Sequence, residues 1–165
     1  MAGGGAPSRL AGLESRLHAW RGVLHARFVR GPWSLAVFEF VAFGVKQAWA
    51  CLFGALMLVL LLGSFLFWPD DAALARYDAI TLGAVAIQIA MLALKLESWA
   101  EARVIAVFHI VGTLMEIFKV HVGSWIYPES ADAVLVIAGV PLFSGFMYAS
   151  VGSYLARVWR IFDFR

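Results

Sequence analysis

The chain has 165 residues, of which 62% are hydrophobic and 15% charged, and its mean hydropathy is +0.83. Soluble domains hold roughly 45–50% apolar and about 25% charged residues, so this composition excludes an ordinary water-surrounded core and calls for lipid as solvent. The net charge of +2 offers no bulk electrostatic case for nucleic acid, and the single cysteine, Cys51, excludes an internal disulfide.

Met1–Pro7 is rich in Gly and Ala and reads as a flexible tail, without the short apolar core of a cleaved signal. From Ser8, a candidate N-cap, to about Arg30 the pattern is helical. Leu10, Leu13, Leu17, Trp20, Leu24 and Phe28 form one apolar stripe, and Arg9, Arg16, Arg21, Arg27 and Arg30 lie off it. Such a basic amphipathic helix either lies on anionic lipid or packs on the cytoplasmic face of the bundle. Gly31-Pro32 ends it.

A long apolar segment follows, from Trp33 to Trp68, and Pro69 stops it. Its second half, 48–68, is uncharged and at 1.5 Å per residue spans ~30 Å of hydrocarbon. Its first half, 34–47, carries Glu39, Lys46 and Gln47, and is either a cytoplasmic extension or a partly inserted element. A second span is expected over 78–96, with Gln88 in its middle and Lys95 placed to snorkel at its end. The third, 102–122, is the most polar. The fourth, 133–162, is expected to kink at Pro141.

Orientation follows from Lys and Arg, which cytoplasmic loops retain. The N-terminal region has five Arg, the loop between spans two and three has Lys95 and Arg103, and the C-terminal end has Arg157, Arg160 and Arg165. The two opposite loops hold Arg76 among Asp70, Asp71, Asp78, Glu129 and Asp132. An even number of spans with both ends inside satisfies every loop. Trp33, Trp68, Tyr77, Trp99, Trp125, Tyr127 and Trp159 near span ends match an interfacial aromatic belt. The expected fold is therefore all-α: a polytopic bundle of about four spans, preceded by an interfacial helix.

Chemistry concentrates on the third span. His109, Thr113 and Glu116 point within about 60° of one another on a helix, with Lys119 beside them. Ionisable groups at such depth cost at least about 2.5–3.5 kcal/mol each and normally face the bundle interior. Glu116 and His109 can thus form a buried site for a proton or polar group. The alternative is a Glu116–Lys119 pair with His109 and Thr113 bonding across helices. Ser124, Trp125, Tyr127 and Glu129 lie in the following turn, as a site mouth or as interfacial anchors. On the fourth span Gly145, Ala149 and Ser153 are four apart, the small-residue spacing of close helix contacts, whereas the mid-membrane phenol of Tyr148 needs a partner such as Glu116 or His109. Glu39, Lys46 and Gln47 are cytoplasmic-side candidates; Glu39 and Lys46 share a face that pairs with Lys95 or Glu97, or is solvated. One deep His argues against bis-His haem, and no phosphate loop, His-Glu-x-x-His or Cys-x-x-Cys motif occurs, so no cofactor is named and no metal is expected.

The strings FGVKQAWACLF (43–53), FHIVGTLMEIFKVHVGSWIYPE (108–129) and GVPLFSGFMYASVGSYLARVWRIFD (139–163) resemble the bacterial integral membrane proteins called domain of unknown function 817, from about Glu39 to the end. The resemblance implies a polytopic bacterial inner-membrane protein and no activity. Members of that family continue past the position matching Arg165 with further helices, which implies a fragment, a short form or half of an assembly, with a second half or a second copy as partner beside the lipid. Three functional classes follow: a small carrier or binder of a proton, ion or polar molecule at the third-span stripe; a membrane-embedded acid–base enzyme acting on a lipid or isoprenoid; and a structural or assembly subunit. The carrier or binder is preferred, because the stripe runs along the membrane normal and no catalytic motif is recognised.

Overall fold

The computed structural model describes residues 19–20, 22–69 and 71–162, in two compact units that divide between Ala48 and Trp49. The N-terminal tail and the first half of the expected amphipathic helix lie outside the described residues. Residues 22–28 are helical. Helix α1, Pro32–Ala50, begins with a proline at its first position, where no amide donor is needed. The Ser34 hydroxyl organises that start: it accepts the N–H groups of Arg30 and Gly31 and donates to the Gly31 carbonyl at 2.9 Å.

The uncharged run divides at Cys51, three residues beyond the expected boundary, and α2 occupies Leu52–Phe67. Trp68 turns extended ahead of Pro69, as residues before proline do. Helices α3 (Arg76–Ala93), α4 (Trp99–His121) and α5 (Phe143–Ile161) complete the second unit, with a 3₁₀ turn at Pro128–Ala131. α3 and α4 are each long and apolar enough to cross a membrane, and α1 with α2 would make a third span if the two form one broken crossing. α5 has 19 residues, but its serines, Arg157 and Arg160 leave it too polar to qualify on composition.

The fourth helix expected over 133–162 is a correction. Only Phe143–Ile161 is helical, and the residues before it form a tight hairpin, β1 (Val136–Ile137) paired antiparallel with β2 (Val140–Pro141). Ala138 and Gly139 both take positive φ, 50° and 78°, the backbone of a type I′ hairpin turn. Pro141 therefore ends a strand and does not kink a helix. The hairpin entry is held from a distance: the Asp78 carboxylate accepts the N–H groups of Val134 and Leu135 at 2.9 and 2.7 Å.

α5 is the central element, packed most extensively on α4 and also touching α2 and α3. Phe53, Met57, Ala84, Met91, Ile105 and Ala149 make the main apolar cluster. The antiparallel α4–α5 contact is close because glycines face side chains across it: Gly112 meets Tyr148, Gly145 meets His109 and Thr113, and Gly152 meets Phe108. Large apolar residues such as Val107, Ile110, Leu114 and Phe118 point outward along the rest of α4, exposed by 58–61%.

A Cβ at Gly145 would sit 2.7 Å from the His109 carbonyl oxygen, a backbone atom that cannot swing aside. Gly145→Ala is expected to lower stability by about 1–3 kcal/mol through overpacking. Gly63→Ala, where nothing lies within 4 Å, should be neutral or gain up to about 1 kcal/mol of helix propensity. Thermal unfolding of both variants in detergent micelles checks this.

Candidate functional site

α4 is defined at both ends by local chemistry. At its start the Ser98 hydroxyl accepts the Glu101 N–H at 3.3 Å while the Glu101 carboxylate accepts the Ser98 N–H at 2.7 Å, a capping box that begins the helix three residues earlier than expected. At its end Gly123 adopts φ +74°, its N–H reaching the Val120 carbonyl and the Ser124 N–H the Lys119 carbonyl. This is a Schellman motif, in which a left-handed glycine satisfies the last carbonyls and reverses the chain. The reversal lays Trp125 and Tyr127 back over the last turns of α4.

Glu116 is the centre of what this reversal builds. It is 2% exposed, and both its oxygens are occupied. Oε1 accepts from the Tyr148 hydroxyl at 2.6 Å and pairs with the Lys119 ammonium. Oε2 accepts from the Tyr127 hydroxyl at 2.8 Å and the Trp125 indole N–H at 3.1 Å. An ammonium and an indole can only donate, so this is the environment of an ionised carboxylate. Four donors from α4, the following loop and α5 converge on one charge. Burial, reinforced by the neighbouring Glu116 carboxylate, pushes the Tyr127 hydroxyl well above the usual phenol range, so it stays a donor at any physiological pH.

The expected polar stripe divides. Glu116, Lys119 and Tyr148 come together, joined by Trp125 and Tyr127 of the site-mouth set. Thr113 instead donates to the His109 carbonyl at 2.8 Å, and the His109 ring lies 4.4 Å from Phe146 without a bond to Glu116. His109 and Thr113 serve the Gly145 contact. Ser124 contributes its backbone to the Schellman turn. Glu129 leaves the group altogether, forming a two-point pair with Arg76 at 2.6 and 2.8 Å. That pair lines a cavity of about 460 Å³ with Ser64, Trp68 and Asp132. Glu39, Lys46 and Gln47 lie on α1, Glu39 exposed and the other two half-buried.

A second polar group was missed by sequence reasoning. At the opposite end of α5, Arg157 and Glu97 form an ion pair at 3.1 Å with neither side chain exposed to solvent. Glu97 also accepts from Ser153 at 2.9 Å and Gln88 at 2.6 Å, and Arg157 donates to the Trp49 carbonyl at 3.1 Å. Nearby, Arg160 donates to Glu101 at 3.1 Å. A signal existed: Arg157 stands four residues beyond Ser153, in line with Gly145 and Ala149 on the face that packs inward. The count of basic residues at the C-terminal end took no account of that alignment.

Residues 39–165 match the family described as Protein of unknown function (DUF817). A relative from Bacillus subtilis (strain 168), named Uncharacterized protein YoaT, is 44% identical over 126 residues, which cover 76% of this chain and 46% of that protein. The chain thus spans about half the length of the curated relative it matches. No solved structure matches.

Two outcomes follow from the ion pairs. Arg157→Leu strands a buried Glu97 carboxylate and is expected to cost about 3–5 kcal/mol, whereas adding Glu97→Gln should recover most of that loss. Denaturant unfolding of the single and double variants in micelles measures the difference. The Arg76 guanidinium holds the Glu129 carboxyl below its ordinary value of 4.5, in a pair exposed enough to be worth at most about 1 kcal/mol. Its contribution is full above pH 4.5 and is lost as pH falls through the lowered value. Glu129→Gln should flatten the stability profile in that window alone.

Proposed function

Because the chain belongs to the DUF817 family, described as being of unknown function, we propose its role from the site itself: a multi-pass protein of the bacterial inner membrane that binds and passes on a proton, ion or polar small molecule at Glu116. The observation that carries this reading is the burial and crowding of that carboxylate. It lies on a helix fit to cross a membrane, about one and a half turns from its end, with Tyr148, Tyr127, Trp125 and Lys119 gathered around it. A carboxylate buried there is expensive, and groups of this kind mark ligand or ion paths.

The charge distribution supports an orientation with both chain ends on the cytoplasmic side. The α3–α4 loop, the first turns of α4 and the end of α5, where the Glu97–Arg157 pair lies, carry Lys95, Arg103 and Arg160; the other end carries Asp71, Glu129 and Asp132 with Arg76. In this reading α5 crosses the bilayer as well, its polar residues turned toward α3 and α4. Lipid is then the main partner, and a second copy or further helices would complete the bundle. One observation favours the structural alternative: every lone pair of Glu116 that faces the protein is already taken. The site is closed until a donor moves. For the same reason Glu116 is poorly placed as a general acid toward a lipid or isoprenoid.

The test is ligand-induced stabilisation in nanodiscs together with proton flux in proteoliposomes. The wild-type protein is expected to gain thermal stability with one class of ion or polar solute, by RT ln(1 + [L]/Kd), or to dissipate a pH gradient. Either effect should vanish in Glu116→Gln. Neither effect in the wild type, or an effect that survives Glu116→Gln, would overturn the reading and leave a structural subunit.

A further inference from the structure

The contacts of Lys119 are the least expected feature of the Glu116 group. Lys119 is two residues from the end of α4, its side chain 31% exposed, and a lysine so placed ordinarily extends its long stem to water. Here the stem folds back. The ammonium pairs with Glu116, stands 4.5 Å from the centre of the Trp125 ring and lies 5.7 Å from that of Tyr148. One carboxylate and two aromatic faces around one positive nitrogen is the chemistry by which proteins recognise alkylammonium ions.

We propose that this is a binding site for a small alkylammonium, and that the protein's own Lys119 occupies it as a tethered substitute for the ligand. The inference rests on the reading of Glu116 as a ligand site and names the class of that ligand. Three features argue for an organic cation over the other classes that reading leaves open. Removing the Lys119 ammonium leaves Glu116 with three neutral donors, from Tyr148, Tyr127 and Trp125, which hold the carboxylate in place but do not cancel its charge. The vacancy is therefore anionic, and an anion is repelled from it. A hard metal ion wants six or more oxygen ligands, and one carboxylate whose other lone pairs are already bonded does not supply them. A proton has no use for ring faces, whereas an alkylammonium uses the ring faces and the carboxylate together.

The geometry also provides a way in. Trp125 is 51% exposed at the end of α4, on the chain reversal that Gly123 makes, so the substitute can swing outward beside it as the ligand enters. The exchange is a competition: an incoming ammonium of equal charge replaces Lys119 without changing the net charge of the buried group. Ligand entry thereby drives Lys119 into water, and departure lets it return. A site that must never be left empty of positive charge is kept closed this way in the absence of ligand.

The experiment uses the full chain in nanodiscs with methylammonium and tetramethylammonium chloride as probes, potassium chloride as the ionic control and tert-butyl alcohol as the uncharged one. Lys119→Ala should unfold at lower temperature than the wild type. Alkylammonium should restore it and change Trp125 fluorescence saturably, at concentrations at least tenfold below those acting on the wild type, with neither control doing so. Adding Trp125→Leu should weaken the thermal rescue about tenfold and remove the fluorescence change, and adding Glu116→Gln should abolish both. Equal rescue by potassium or by the alcohol, or no rescue of a folded Lys119→Ala protein, overturns the proposal.

A measurement on the wild type serves if the variant does not fold. The chain has three lysines, Lys46, Lys95 and Lys119, so amine-reactive labelling can be read site by site by mass spectrometry. Tetramethylammonium, which has no reactive N–H, should raise labelling of Lys119 and leave Lys95 unchanged; no rise at Lys119 overturns the proposal. Should another solute, or a proton gradient, act through Glu116 while alkylammonium does nothing, the ammonium assignment falls and the broader reading of Glu116 stands. Should nothing act, both fall.

Discussion

A carboxylate withdrawn from water must find donors for its oxygens and a positive charge nearby, and this structure meets that demand twice. Glu116 meets it with Lys119, two tyrosines and a tryptophan; Glu97 meets it with Arg157, Ser153 and Gln88. In lipid this requirement carries unusual weight. Acyl chains are as apolar as leucine, so burying Phe53 or Met57 against a helix gains little over leaving them in the bilayer. Close packing and polar contacts are what remain to hold helix to helix.

Both networks use α5. Tyr148 serves one and Arg157 the other, nine residues apart on the same helix, or about 13 Å along its axis. Gly152 between them, and Gly145 just before Tyr148, let α4 approach closely. Glu116 on α4 and Glu97 in the loop just before it therefore tie this part of the chain to α5 at two heights, and the small residues allow the distance that the hydrogen bonds need. The same arrangement explains why α5 can be too polar to look like a span and still sit at the centre of the unit: Tyr148 and Arg160 donate to α4, and Ser153 and Arg157 to Glu97 in the loop before it.

Much of the α4 site was legible in advance. Its polar face and the glycine that ends it are local signals, and the spacing of Glu116 and Lys119 predicts their pairing. What spacing could not reveal is which neighbours take part. His109 and Thr113 share the face of Glu116 but meet Gly145, because the helix opposite is closest there. Glu129 follows Tyr127 by two residues yet turns to Arg76, since a 3₁₀ turn intervenes. The hairpin before α5 was hidden for a similar reason. Its residues are apolar enough to continue a helix, and the carboxylate that holds its entry, Asp78, stands 56 residues away in sequence. Arg157 was read only as a basic residue near the C-terminal end, because its partner Glu97 stands 60 residues away in sequence.

The account depends on lipid surrounding the outward face of α4 while the Glu116 face stays enclosed. Spin labels on single cysteines, introduced into a Cys51→Ser background in nanodiscs, test this most directly by comparing collisions with oxygen and with a water-soluble nickel complex. Labels at Val107, Ile110, Leu114 and Phe118 should collide mainly with oxygen, most strongly near Ile110 and Leu114. Collisions with the nickel complex dominating along the outward face would contradict the account.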